Sequence, residues 1–444
     1  MASPAENLAA TMNWSNFAKA SELKSRIWFT LGALIVYRIG THVPLPGIDP
    51  DQLAKMFSQH SGGILGMFDM LSGGALFRMT IFALNVMPYI TASIIMQLLS
   101  PVIPSLDALK KEGEQGRMKI NQYSRYLTVL FSVVQSYALA VGLENSDGAV
   151  VLDPGIFFRI STVITLTGGT LFLMWLGEQI TARGIGNGIS LIIYTGIVAT
   201  LPVSLSNTFE LARTGAISGW FIAVLLALLV AVLALCVACE RAQRRILVQY
   251  PKRQMGNKMF GGEAQHMPLK LNTSGVIPPI FASSLLLFPL TLASFTDVGR
   301  NGWLADLVAM LGHGKPLFMV MYAGLIIFFA FLYTSLVFNP DETADNLKKH
   351  GGFVPGIRPG SMTADHFDFV LTRLTVLGCA YLVLVCLLPE FLTAHFSAPF
   401  YMGGTSLLIV VSVTIDTISK VQAQMMAHQY EGLIKKARLR GRKV

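Results

Sequence analysis

Cys236 and Cys239 stand in a C-x-x-C pattern, the spacing that redox and metal chemistry both use. They lie inside an apolar run, as do Cys379 and Cys386, so all four cysteines read as small hydrophobic side chains. Gly184, Gly186 and Gly188 form a glycine-dense turn of the kind that can cradle a phosphate, but no strand precedes them; they read as a tight turn between two helices. The eight histidines are scattered without ligand spacing, and H-E-x-x-H, G-x-S-x-G and Walker-type loops are all missing. No catalytic set, no metal set and no cofactor is therefore expected, and the chain does not read as an enzyme. Charge near apolar segments is the remaining chemistry. Glu178, Glu240, Asp368, Arg373, Asp416 and Lys420 all fall near segment ends, and Asp416 and Lys420 are four apart, as a helical ion pair would be. The middles of the segments hold no ionisable coupling site, which argues against proton- or sodium-coupled transport and leaves a passage driven from elsewhere.

The elements that position these residues are membrane spans. The chain of 444 residues is 53% hydrophobic and only 13% charged, against about 25% charged for soluble domains. Apolar runs recur at 27–39, 79–99, 127–142, 156–176, 189–205, 217–239, 276–295, 317–338, 369–388 and 401–418, which predicts ten spans. With the N-terminus inside, 27 of the 34 lysines and arginines fall on the inner side; only Arg38, Lys55, Arg78, Arg159, Arg213, Arg300 and Lys315 fall outside. The positive-inside bias thus puts both termini in the cytoplasm. The first 25 residues lack an apolar core and a small-residue cleavage pattern, so no cleaved signal is read. Residues 13–26 mix Trp14, Phe17 and Leu23 with Lys19, Lys24 and Arg26, as an amphipathic surface helix would.

One stretch differs from the rest. Ile64, Leu65, Phe68 and Leu71 recur at helical spacing between a candidate N-cap, Ser61, and the Gly73-Gly74 pair that reads as a helix stop. Eleven helical residues cover roughly 16 Å, against roughly 30 Å of hydrocarbon, so this stub re-enters or lies inside protein. It feeds the run 79–99, long enough to span and broken by Pro88. Splitting the ten spans five and five places a long loop after the first span of each half, outside in one and inside in the other. An odd number of spans per half inverts the second, the arrangement of inverted-repeat membrane proteins. The two long inner loops, 240–273 and 339–368, carry more charge and length than topology needs, and could hold an anionic partner such as ribosomal RNA.

From the first span to the last, the residues are similar to one family. Tyr37-Arg38-Ile39-Gly40, Pro44-Leu45-Pro46-Gly47-Ile48, Ser72-Gly73-Gly74-Ala75-Leu76, Met87-Pro88-Tyr89-Ile90 and Lys111-Glu112-Gly113-Glu114 resemble the bacterial SecY family, the main subunit of the general protein-conducting channel. So do Leu176-Gly177-Glu178-Gln179-Ile180, Gly184 to Ser190, Gly275-Val276-Ile277-Pro278, Ala344-Asp345-Asn346-Leu347, Val354 to Gly360 and Gly403 to Ile409.

The resemblance implies an all-α polytopic membrane protein with ten transmembrane helices in two inverted five-helix halves around an hourglass pore. The boundaries would be an amphipathic segment 1–26, halves at 27–206 and 207–421, and a basic tail 422–444. Gly62, Gly63, Ile64, Leu65, Gly66, Met67, Phe68, Asp69, Met70 and Leu71 would be a plug hinged at Gly73 and Gly74. Val86, Ile90, Ile189, Ile193, Ile280 and Ile409 would form the constriction, with Val86 where isoleucine is usual. A collar of aliphatic side chains cannot replace an ion's hydration shell and tends to dewet, yet it can part for a polypeptide. Gln97 and Asn272 would line a lateral gate, and Lys252, Arg253 and Arg358 would dock the SecA motor or the ribosome and its RNA. The implied setting is the bacterial inner membrane. The implied partners are SecE and SecG in a heterotrimer, SecDF and YidC as accessories, signal peptides, nascent chains and membrane lipids.

Overall fold

A computed structural model describes residues 21–49, 52–53, 69, 72–144, 150–214, 219–251, 253–255, 258–260, 264–295, 315–396 and 404–441. They form α1 (Ser21–Gly40), α2 (Met87–Leu99), α3 (Pro104–Lys111), α4 (Glu114–Glu144), α5 (Ile156–Arg183), α6 (Gly188–Arg213) and α7 (Gly219–Arg241). Four strands follow, β1 (Gln243–Gln249), β2 (Arg253–Met255), β3 (Lys258–Phe260) and β4 (Ala264–Lys270). Then come α8 (Ile277–Phe295), α9 (Pro316–Val337), α10 (Pro340–Lys349), α11 (Ser361–Phe396) and α12 (Gly404–Gly441). Two compact units result: Met1–Leu205 with Pro289–Ala305 and Val413–Val444, and Ser206–Phe288 with Asp306–Ser412.

Among the described residues, 7 helices are long and apolar enough to cross a membrane, and α2 with α3, bent by 95°, makes up to 8. Helix α1 carries Glu22, Lys24, Arg26 and Arg38 around a short apolar middle, and the described apolar part of α8 is Ile277–Leu286. The large side chains left exposed on these helices, Trp28, Ile35, Phe157, Ile164 and Phe328 among them, are those a lipid-facing surface presents. The amphipathic stretch 13–26 lies outside the described residues up to position 20.

The run 79–99 is not one proline-broken helix, as the sequence suggested. Helix α2 starts only at Met87, with Pro88 in its first turn, where a missing N–H costs nothing. Before it, Met79 and Asn85 both take positive φ (40° and 49°), which stops helix propagation. That segment spends its backbone groups elsewhere: the Leu45 N–H donates to the Met79 carbonyl (2.9 Å), Ile81 N–H to Val43 (3.1 Å), and Pro44 bridges Thr80. The 13 residues of α2 cover about 20 Å, short of a bilayer by themselves.

In the first unit, α4 packs between α2 and α5. The first part of its buried face is small, Gly116, Ser124, Thr128, Ser132 and Ser136, before Leu139, Ala140 and Leu143 continue it. The hydroxyls of Ser124, Thr128 and Ser136 donate to the carbonyl one turn back, so close approach leaves no hydroxyl hydrogen stranded. Arg125 forks onto Glu178 of α5 (2.8 and 2.9 Å), which accounts for that carboxylate. The glycine-dense turn is a structural joint. Gly184 packs on Thr30, and a Cβ on Gly188 would sit 2.0 Å from the Gly177 carbonyl. Ile185 clusters with Leu23 of α1, and Val421 and Met425 of α12 pack against them. Asp416 and Lys420 do pair, at 2.8 Å.

In the second unit the loop 240–273, which reads as a long charged loop, holds four strands. β1 and β4 form an antiparallel hairpin from Gln243 opposite Lys270 to Gln249 opposite Ala264, and β2 and β3 pair Arg253 with Phe260. The two long basic loops meet: Gln249 and Phe353 exchange both backbone bonds (2.9 and 3.0 Å), and Ile246, Leu269, Val354, Phe367 and Leu371 share one core. Each of the two short helices α3 and α10 begins with proline and runs through Asp-x-Leu-Lys-Lys to a glycine at positive φ, Gly113 or Gly351.

Candidate functional site

The proposed hinge follows Ser72, and hydrogen bonds involving Asp69, Ser72 and helix α1 fix its backbone. Gly73 takes the left-handed position (φ 71°), and the Gly74 N–H reaches back to the Asp69 carbonyl at 2.9 Å, the bond of a Schellman stop. The Asp69 carboxylate accepts the Phe77 N–H (2.8 Å), and Ser72 Oγ donates to Asp69 and accepts from Leu76. Two side chains of α1 hold this turn from outside it. Tyr37, fully buried, donates to the Ser72 carbonyl (3.2 Å), and Arg38 Nη1 donates to the Gly73 carbonyl (2.9 Å). The far side rests on α6, since a Cβ on Gly73 would lie 2.9 Å from the Gly196 Cα. Of the plug residues, Gly62 to Phe68, Met70 and Leu71 lie outside the described residues.

Gly196 is one residue short of a helical turn from Ile193, which links the hinge to the ring candidates of this unit. Ile189 and Ile193 occupy the first two turns of α6; Ile193 is buried, and Ile189 packs on Gly177 of α5. Val86 (1% exposed) and Ile90 sit one turn apart where α2 begins, with the Ile90 N–H on the Val86 carbonyl. In the second unit, Ile280 is half-buried in the first turn of α8 after the buried pair Pro278-Pro279. Ile409 (3% exposed) follows Thr405 to Leu408 on the buried start of α12. That start approaches α11 closely, because a Cβ on Gly404 would lie 2.2 Å from the Val385 carbonyl.

The two gate candidates differ in setting. Gln97 is exposed on α2 and bonds only Ser93 (3.2 Å) among the contacts seen for it. Asn272 is buried in the turn before α8, where its amide donates to Glu240 (2.7 Å) and to the Gly275 carbonyl (3.0 Å), and its oxygen accepts from Ser274 (3.1 Å). Arg358 is exposed on the turn that follows the two-loop core, its carbonyl held by Thr363 (2.9 Å). Arg253 belongs to β2 near the hairpin tip, and Lys252 lies outside the described residues.

Three participants had no role from sequence alone. Arg38 carried a signal, as one of the few basic residues on the sparsely charged side. Tyr37 stood only within the Tyr37-Arg38-Ile39-Gly40 motif and Gly196 carried no signal, because a buried tyrosine and a span glycine look like packing until their partners are seen.

Asp69 lies outside the spans, and burial raises its pKa from 3.8 to about 6, beyond what the Phe77 and Leu76 N–H groups, Arg78 and Ser72 lower it. The folded turn therefore holds its proton more tightly than the unfolded chain. The neutral acid keeps an oxygen for Phe77, so the stabilisation is present at low pH and is lost as pH rises from about 4 through about 6. The turn's contribution to the melting temperature in detergent is expected to be larger at pH 5 than at pH 7.5, and Asp69→Asn is expected to flatten that dependence at the high-stability level. A slope unchanged in the asparagine variant would assign it to another group.

A family model described as SecY matches residues 80–418. The chain is 54% identical over 430 residues to "Protein translocase subunit SecY" of Rickettsia conorii, covering 96% of this chain and 99% of the relative. It is 53% identical over 423 residues to the subunit of the same name from Escherichia coli K12, covering 95% and 96%. Among solved structures, it resembles that of a SecY protein described through the plug domain that stabilises its closed state (TM-score 0.66, 18% identity, covering 90% and 92%). It also resembles Sec61 in the canine ribosome–channel complex (TM-score 0.63, 18% identity, covering 90% and 92%). At these identities the structural likeness speaks for the fold.

Proposed function

Since the chain belongs to the SecY family and is the pore-forming subunit of a Sec translocon, we propose that it is a passive, gated passage of ten spans, closed at rest by a plug and an aliphatic ring. The observation that carries this reading is the hinge. Ser72 and Gly73 are gripped by Tyr37 and Arg38 and rest on Gly196, within about one turn of Ile193. Displacing the plug would therefore load the helix that carries two ring residues. Val86, Ile90, Ile189, Ile193, Ile280 and Ile409 form the ring, and residues 62–71 form the plug.

Unfolded, signal-bearing chains pass through the ring, and apolar segments leave sideways where Gln97 and Asn272 flank the seam. Interhelical polar bonds in membranes are worth about 1 kcal/mol, weak enough for a signal sequence to replace. SecE and SecG complete the complex in the bacterial inner membrane, with both termini cytoplasmic. SecA or the ribosome drives transport from the basic face built by the hairpin and the turn at Arg358. If the purified complex with SecE and SecA fails to move a signal-bearing preprotein while ATP is hydrolysed, this reading is wrong. Accumulation of a small solute down an ion gradient without a motor would identify a secondary transporter instead.

Arg358 gives a local test. It is exposed at the end of Pro355-Gly356-Ile357, with its backbone fixed to Thr363, so its side chain is free for a partner and contributes little to the core. Arg358→Glu is expected to cut motor- or ribosome-dependent transport severalfold while membrane insertion and thermal stability stay at the parental level. Normal transport would remove the docking role.

A further inference from the structure

Glu240 closes a knot at the root of the hairpin that the proposed transport cycle has not used. Helix α7 ends at Arg241, β1 begins at Gln243, and β4 returns to Lys270 opposite Gln243. The Leu271 N–H donates to the Ala242 carbonyl (2.9 Å) and shuts the base of the hairpin. The next residue, Asn272, is 3% exposed and spends its whole amide: Nδ2 on Glu240 (2.7 Å) and on the Gly275 carbonyl (3.0 Å), Oδ1 on Ser274 (3.1 Å). Helix α11 presses from another side, where a Cβ on Gly378 would sit 3.0 Å from the Leu271 carbonyl and 3.6 Å from the Asn272 Cα. Gly275 at φ 63° then turns the chain into α8, and the Ile280 N–H takes the Val276 carbonyl. From the end of β4 to Ile280 the backbone is thus held at Leu271, Asn272, Gly275 and Val276.

We infer that Glu240 is a positioning residue that couples the hairpin to α8, so that force applied to the hairpin by a docked motor or ribosome reaches Ile280 through Asn272. The bond from the buried Asn272 amide to the half-buried Glu240 carboxylate is charge-assisted, and so short and directional. Without it, hairpin and span join through a turn whose single-residue torsions could absorb the motion. The knot would also tie up the Asn272 amide at rest, so that a pull on β4 and release of that amide become one event. This inference rests on the transport reading above.

The experiment compares Glu240→Ala, Glu240→Gln and Gly378→Ala in the complex with SecE and SecG, measuring SecA affinity and preprotein translocated per bound SecA. Glutamine keeps a carbonyl oxygen for the Asn272 amide, whereas alanine does not. Gly378→Ala leaves the carboxylate in place and pushes the Leu271–Asn272 backbone from the opposite side. Glu240→Ala is expected to bind SecA with parental affinity and to lose about tenfold in translocation per bound motor, the weight of one charge-assisted hydrogen bond. Glu240→Gln is expected to stay near the parental value, and Gly378→Ala to fall with Glu240→Ala. Parental translocation by Glu240→Ala overturns the inference, and so does a loss matched by lost SecA binding, which would make the knot merely structural. Should Glu240→Ala not assemble, Gly378→Ala decides: parental translocation per bound SecA overturns the coupling, and a fall at unchanged affinity supports it. Failure of the parental complex to translocate would instead sink the transport reading.

Discussion

Replacing Ile90, Ile193 and Ile409 together with serine is expected to raise the resting ion conductance of the reconstituted complex at least about tenfold, the effect of lowering a barrier by 1.4 kcal/mol. The barrier to an ion at an aliphatic constriction is the cost of shedding water where nothing replaces it. Each serine hydroxyl offers water or the ion one hydrogen bond, worth about 1 kcal/mol net, so three of them exceed what a tenfold change requires. Ile193 and Ile409 are buried and Ile90 is half-buried, so none is an ordinary lipid-facing residue. Ile160 and Ile164, more than half exposed on α5, supply the control. Serine at both is expected to leave conductance unchanged, since lipid-facing substitutions do not touch an ion path. Single-channel recording in planar bilayers reads both, and equal conductance in the ring variant and its parent would remove the gasket role.

How far the sequence reached depends on which force placed each element. Spans set by hydropathy were legible: α4, α5, α6, α7, α9, α11 and α12 each appear where an apolar run predicts them. The second run was misread because hydropathy does not distinguish a buried helix from buried turns. Residues 79–86 are apolar, yet they are folded by hydrogen bonds to residues 43–45 that no local pattern announces. The hairpin was missed for a related reason. Its inward side chains, Ile246 and Val248, alternate for only four residues, and what fixes them is the strap 353–354 more than a hundred residues away. Among the site residues, the ring candidates on helix starts were named by resemblance. Asn272 was legible as a polar residue near a gate span, but its partner Glu240 lies thirty-two residues earlier, and a contact of that kind leaves no periodicity behind.

Gly73→Ala is expected to unseal the resting channel more than Gly74→Ala, although the two glycines share the same backbone demand. Both sit at positive φ (71° and 84°), where any side chain costs about 1–2 kcal/mol. They differ in what the new methyl group meets. At Gly74 it meets the end of a flexible arm, Arg78 Nη2 at 2.7 Å, which can swing away. At Gly73 it meets main chain, the Gly196 Cα at 2.9 Å and carbonyl at 3.2 Å, with Arg38 Nη1 at 3.3 Å behind it. A helix backbone cannot yield without moving Ile193 on the same helix, so overpacking of about 1–3 kcal/mol adds to the torsional cost. The turn should lift off α6, and with it the Arg38 bond to the Gly73 carbonyl should break. Arg38→Ala removes that bond directly, so the double variant is expected to leak little more than Gly73→Ala alone, whereas independent sites would add. Conductance and detergent melting temperature measured across the parent and the four variants test this. Equal effects of Gly73→Ala and Gly74→Ala would mean that the rest on Gly196 contributes nothing to the seal, and full additivity with Arg38→Ala would separate the anchor from the hinge.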